Sequence, residues 1–157
     1  MVMISRKYVL LLLVFITFFS VSTAKAQQLL SEHGFPLSVI QLHTSSGDVV
    51  KLVTETAQTS TERAKGLMFR EALSDSEGML FIWPDRAVRQ FWMKNTPLSL
   101  DILFFDGKGI LQHIAPDQTP FSESLISSLV PTKYVLELPA GDARRRGIDI
   151  GTILRLK

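Results

Sequence analysis

The chain contains no cysteine in 157 residues. That absence excludes a disulfide framework, a thiolate metal site, a thiol nucleophile and a lipid-modified cysteine, so hydrophobic packing alone must hold the fold. Histidine is scarce as well. His33, His43 and His113 lie far apart, and none has a second ligand at i+2 or i+4, so the sequence predicts no metal. No nucleophile elbow, glycine-rich phosphate loop or base–nucleophile pair stands at a recognised spacing. Gly147 to Gly151 reads as a strand-entry turn, and the serines sit in turn-like company. A nucleophilic hydrolase is unsupported, and no cofactor is predicted. Internal repeats and low-complexity segments are also missing, and no apolar run reaches the roughly 18 to 20 residues that span a bilayer.

The longest apolar run, Tyr8 to Val21, follows Arg6 and Lys7 and precedes Ala24-Lys25-Ala26. A positive start, an apolar core of about 14 residues and a small-x-small site predict a secretory signal over 1–26, cleaved after Ala26, with no transmembrane anchor left behind. The expected location is periplasmic or secreted. The whole chain has 17 Lys plus Arg against 15 Asp plus Glu; removing Arg6, Lys7 and Lys25 leaves 14 against 15. The basic balance therefore belongs to the signal. A nucleic-acid partner, which needs a concentrated basic surface, is not expected. What remains is one domain by length, read as a monomer.

After a mobile lead-in over 27–36, Leu37–His43 and Val49–Ala57 alternate around turn chemistry at Thr44–Asp48 and predict a hairpin. Thr59 and Glu62 fit a capping box, so a short helix should start there, although Gly66 weakens it or admits a neighbouring strand. Ser74–Gly78 reads as a turn. Met79–Trp83 reads as a strand stopped by Pro84, and Ile110–Ile114 as the strand returning from the Asp106–Gly109 turn. Three prolines and several serines make Ala115–Thr132 a long surface loop. Tyr134–Leu138 is the next strand, a single helical turn near Asp142 follows, and Thr152–Leu156 is the last strand. Regular short strands between turn signals predict a sandwich or barrel.

Arg89 to Asp106, RQFWMKNTPLSLDILFFD, organises the rest. Two period-2 runs meet at Asn95-Thr96-Pro97. In the first, Trp92, Lys94 and Thr96 share a face; in the second, Asp101 joins Leu103 and Phe105 opposite Leu100, Ile102 and Phe104. A strand apolar on both faces that carries a carboxylate must give it a partner. Phe69, Phe81, Phe91, Phe104 and Phe105 are expected in the core.

GLMFR at 66–70, GMLFIW at 78–83, FWMKNTPLSLDILFFD at 91–106 and VLELPAG at 135–141 resemble, in that order and spacing, the DUF192 family of small exported bacterial and archaeal domains. The resemblance implies a mainly β, jelly-roll-like sandwich and an exported location more than it implies an activity. The fold expected from both lines of reasoning is a single jelly-roll-like sandwich or distorted barrel over 37–157 with one or two short helices.

Three readings of the polar residues stay open. In the first, Lys94 or an arginine pairs with Asp101, and Glu137 pairs with Arg63 or Arg70, as a buried structural network. In the second, Trp92, Lys94, Asn95, Thr96, Asp101 and Glu137 line a cleft that binds a small polar or sugar-like ligand or a cell-envelope component. In the third, Asp101 and Glu137 act as paired acids on envelope glycan, which needs their carboxyls roughly 5 to 10 Å apart. A non-catalytic binding module is the function this sequence predicts. Arg144-Arg145-Arg146 is the one positive cluster after the signal, and is read as a solvated turn.

Overall fold

The computed structural model describes residues 29–73 and 78–157. The predicted signal at 1–26 and most of the predicted turn at 74–78 lie outside the described residues. Strands dominate: β1 Leu37–His43, β2 Val49–Ala57, β3 Met79–Ala87, β4 Gln90–Phe91, β5 Leu100–Phe105, β6 Leu111–Gln118, β7 Ile126–Ser127, β8 Thr132–Pro139 and β9 Ile153–Leu156, with helices α1 Ser60–Lys65 and α2 Asp142–Arg145. Seven of the strands form one sheet in the order β6-β5-β8-β3-β2-β1-β9, and β4 pairs with β7 in a separate ribbon.

The large sheet closes on itself. Beyond its last strand, the Leu111 N–H donates to the Thr152 carbonyl at 2.8 Å and the Leu154 N–H donates to the Gly109 carbonyl at 2.8 Å, so the chain entering β6 meets β9. Gly109 makes this possible. Its φ is 79°, and a Cβ there would stand 2.7 Å from the Leu154 carbonyl oxygen, a position only glycine can occupy. The result is a distorted barrel in which, among the described residues, only β2 and β3 pair in parallel.

Alternation along the strands builds two cores. Ile40, Leu42, Leu80, Leu103, Phe105 and Leu136 belong to the cluster filling the barrel, where Ala143 and Ile148 around α2 pack against them. The opposite face presents Met79, Phe81, Ile102, Phe104 and Val135, covered by Phe35, Leu67 and Met93 from outside the barrel. All six residues of β5 are consequently buried, as its two apolar faces require. The lead-in is docked from Leu29 onward: Leu30 bridges to Pro36 and Phe35 is buried.

The first hairpin and the α1 capping box form as expected, with the Thr59 N–H donating to Glu62 Oε2 at 2.8 Å and the Glu62 N–H donating to Thr59 Oγ1 at 3.1 Å. Gly66 ends α1 and admits Phe81, whose ring carbon would lie 3.3 Å from a Cβ at that position. Three expectations are corrected. β3 passes through Pro84 to Ala87, because the ladder with β8 is interrupted between Ile82 and Ala87 and asks no N–H of the proline. The supposed loop from Ala115 contains the end of β6 and all of β7. The first period-2 run is a strand only at Gln90–Phe91, after which the chain turns.

Candidate functional site

Residues 93–96 form a tight turn. The Thr96 N–H donates to the Met93 carbonyl at 3.0 Å, and Asn95, third of the four, has φ 54°, as a type II turn demands of a residue that asparagine fills better than most. The turn replaces the strand that alternation suggested, so Trp92, Lys94 and Thr96 do not share a strand face. Thr96 is buried and donates from Oγ1 to the Lys94 carbonyl at 3.2 Å. Trp92 is exposed at 44%, with Lys94 Nζ 5.1 Å from the centre of its ring. Lys94 also reaches toward Glu123, Nζ to Oε1 at 3.8 Å.

Two further loops are tied to this turn through its backbone. The Phe69 N–H donates to the Asn95 carbonyl at 2.7 Å, and the Phe121 N–H donates to the Thr96 carbonyl at 3.0 Å. Both phenylalanines adopt left-handed backbone, φ 64° and 60°, and both point outward, 72% and 63% exposed. Left-handed backbone on a bulky residue costs on the order of 1 to 3 kcal/mol. Burial of the ring cannot be what offsets it, since the rings are in solvent. Phe69, expected in the core, is instead part of an aromatic rim with Trp92 and Phe121. Beside it the β4–β7 ribbon buries Phe91 and Ile126 partly against the core, while Leu125 and Leu129 stand exposed.

Asp101 and Glu137 belong elsewhere. Asp101 is 1% exposed on the barrel-interior face, where Oδ1 accepts the Asp117 N–H and Oδ2 the Ala143 N–H, each at 3.0 Å. Neither Lys94 nor an arginine is its partner. The N-cap of α2 is Gly141, which offers no side chain, and Asp101 supplies the missing acceptor from across the sheet. Glu137 is 5% exposed and sits directly opposite Ile102, while Asp101 sits opposite Leu138. Residues paired across a sheet share a face and neighbours along a strand do not, so the two carboxyls project from opposite sides of the sheet. They do not flank a common bond.

Burial raises Glu137 to about 8. Its carboxyl makes no hydrogen bond or ion pair among the described residues, so it is neutral at physiological pH. The arginines suggested for it are engaged otherwise. Arg70 forms a buried ion pair with Glu55, and Arg63 donates to the Gln58 and Ile82 carbonyls while lying 5.1 Å from the centre of the Trp83 ring. The Arg144–Arg146 cluster also divides: Arg145 and Arg146 both hold the fully buried Asp142. His113 stacks on Phe104, His33 pairs with Glu32, and no group of three His, Asp or Glu able to hold a metal occurs among the described residues. No described helix is long and apolar enough to cross a membrane.

The structure thus brings together Trp92, Lys94, Asn95 and Thr96 from the predicted site, and adds Phe69, Phe121 and Glu123. Sequence reasoning missed the phenylalanines because Phe69 sits in an apolar-looking run and Phe121 in a stretch of prolines and serines read only as a surface loop; the available signal was the turn chemistry around them, Gly66 before Phe69 and Thr119-Pro120 before Phe121.

The DUF192 family model, described as Uncharacterized ACR, matches residues 41–156. No curated protein matches. Among solved structures, a candidate transcription regulator from Sinorhizobium meliloti 1021 is similar at 37% identity and TM-score 0.76, over 78% of this chain and 95% of that one. A protein of unknown function from Novosphingobium aromaticivorans DSM 12444 is similar at 35% identity and TM-score 0.78, over 83% and 94%.

Proposed function

The chain belongs to the DUF192 family, and from that premise we propose that it is a non-catalytic binding module, exported to the periplasm or beyond, that docks a glycan of the cell envelope on its aromatic rim. The observation that carries this reading is the set of Phe69, Trp92 and Phe121, exposed on three loops that the Asn95–Thr96 backbone ties together. Sugar rings present a C–H face to an aromatic ring and hydroxyls to its surroundings. Lys94, Asn95 and Glu123 offer a donor, an amide and an acceptor beside the rings. Strain retained in two solvent-exposed phenylalanines supports use of those rings, because stability alone would favour glycine there.

The paired-acid enzyme is not favoured, since Asp101 and Glu137 occupy opposite faces of the sheet. Nor is the regulator name of the Sinorhizobium protein carried over: 14 cationic against 15 acidic residues after the predicted signal gives a DNA backbone little to bind. The test is isothermal titration with soluble β-linked N-acetylhexosamine oligosaccharides. Saturable binding that disappears in Trp92→Ala, with an unchanged unfolding midpoint, is expected. Heats indistinguishable from dilution, or binding that survives Trp92→Ala and Phe121→Ser together, would sink the proposal.

A further inference from the structure

At the end of the barrel plugged by α2, a cleft of about 560 Å³ that none of the rim residues lines opens between β6 and the 147–150 turn. Its walls are Ile114, Pro116, Ile148 and Ile150, and Ile150 is more than half exposed despite lying beside buried Ile148. Apolar clefts of a few hundred Å³ with a small number of polar groups are where proteins hold small ligands, and barrel mouths are a favoured place. The polar groups here can be sorted by whether they are already used.

Asp101, on the floor, has both oxygens occupied by backbone amides. Asp149 accepts from the Ser45 hydroxyl at 2.6 Å and from Thr152 Oγ1 at 3.3 Å, and these bonds, Ser45 first, hold its carboxyl below the ordinary range. Two charges remain. Arg144 is the member of the arginine cluster that does not hold Asp142. Its guanidinium folds over Gly141, 3.8 Å from where a Cβ would stand, and makes no hydrogen bond or ion pair among the described residues. The Asp117 carboxylate is likewise unengaged, although its backbone is fixed at φ 48° by the N–H donated to Asp101. One free cation and one free anion therefore border the same apolar cleft.

We propose that this cleft binds a short apolar peptide with free ends, its carboxylate against Arg144, its ammonium against Asp117 and its side chains against the isoleucines and Pro116. The charge balance decides the class. An anionic amphiphile would satisfy Arg144 and leave Asp117 facing its head group, a cationic one would do the reverse, and a zwitterion satisfies both. A cleft of this size takes roughly a di- or tripeptide. No bond is made or broken.

The experiment is titration calorimetry of the protein with trileucine, N-acetyl-trileucine, trileucine amide and decanoate. Arg144→Gln and Asp117→Asn serve as variants, because both side chains are exposed and asparagine tolerates left-handed backbone as aspartate does. Saturable binding of trileucine is expected. Amidation should weaken it roughly threefold to fivefold in the wild type and not in Arg144→Gln, and acetylation should do the same in the wild type and not in Asp117→Asn, which isolates each pairing. Absence of saturable heat with trileucine overturns the proposal, as do blocked peptides that bind equally well. Decanoate binding as tightly as trileucine with no effect of Asp117→Asn would make this an anion site and refute the zwitterion. Loss of oligosaccharide binding in Trp92→Ala would not touch any of these outcomes, so the two sites fail separately.

Discussion

Replacing Asp101 tests how the barrel end is held. Its carboxylate is sealed at 1% exposure and accepts two backbone N–H groups, one from β6 and one from α2, both at 3.0 Å. A hydrogen bond to a charged group is worth about 1.5 to 3 kcal/mol, and a donor left buried without an acceptor costs about as much. Asp101→Ala removes both acceptors, so a loss of about 3 to 5 kcal/mol is expected, a large fraction of the roughly 5 to 15 kcal/mol that holds a domain of this size. Asp101→Asn keeps one acceptor and turns an NH₂ toward the second N–H, so about 1.5 to 3 kcal/mol should go. Urea unfolding at neutral pH, with m-values compared to confirm that the unfolded state is unchanged, gives both numbers. Amide exchange locates the damage. The Ala143 and Asp117 N–H groups should lose protection first, since Asp101 is the cap that Gly141 cannot be. An Asp101→Asn variant within about 0.5 kcal/mol of wild type, the spread of an ordinary surface substitution, with both amides still protected, would refute this account.

Glu137 has its folded pKa raised to about 8 from an ordinary 4.5, so the folded state holds the proton more tightly; stability should be greatest below pH 4.5, fall as pH rises between these values and level off above 8. Glu137→Gln should flatten that slope and raise stability at pH 8 by about 1 to 3 kcal/mol, read from urea midpoints across pH. Phe121→Gly should relieve its left-handed strain and leave the protein as stable or up to about 1 kcal/mol more so, while weakening oligosaccharide binding; a clear loss of stability would mean the ring is packed. Trp92→Ala should cost under about 1 kcal/mol, against the 3 to 5 of a core tryptophan, and thermal unfolding distinguishes the two.

Much of the barrel is legible in the amino-acid sequence because it is written in local patterns. Alternation places β1 and β2 to the residue, the Thr59–Glu62 capping box starts α1, and two apolar faces around Asp101 announce a strand covered on both sides. Four motifs in register lead to the same family that the family model identifies. The limits appear where a long-range contact outweighs the local pattern. Asp101 demands a partner on its own evidence, but that the partners are backbone amides of Asp117 and Ala143, 16 and 42 residues on, depends on how β6 and α2 are folded against β5. Trp92, Lys94 and Thr96 alternate like a strand, yet a strand needs a neighbour to satisfy its N–H and C=O groups. Beyond Phe91 those groups bond instead to Ser122, Phe121 and Phe69 of two flanking loops, and the chain turns. That turn puts Trp92 in solvent and Thr96 inside. The free state of Arg144 beside its two paired neighbours is decided the same way, by a buried Asp142 that can hold Arg145 and Arg146 but not all three. Residue type and spacing determine which side chains need partners; only the closed barrel decides which of them find one.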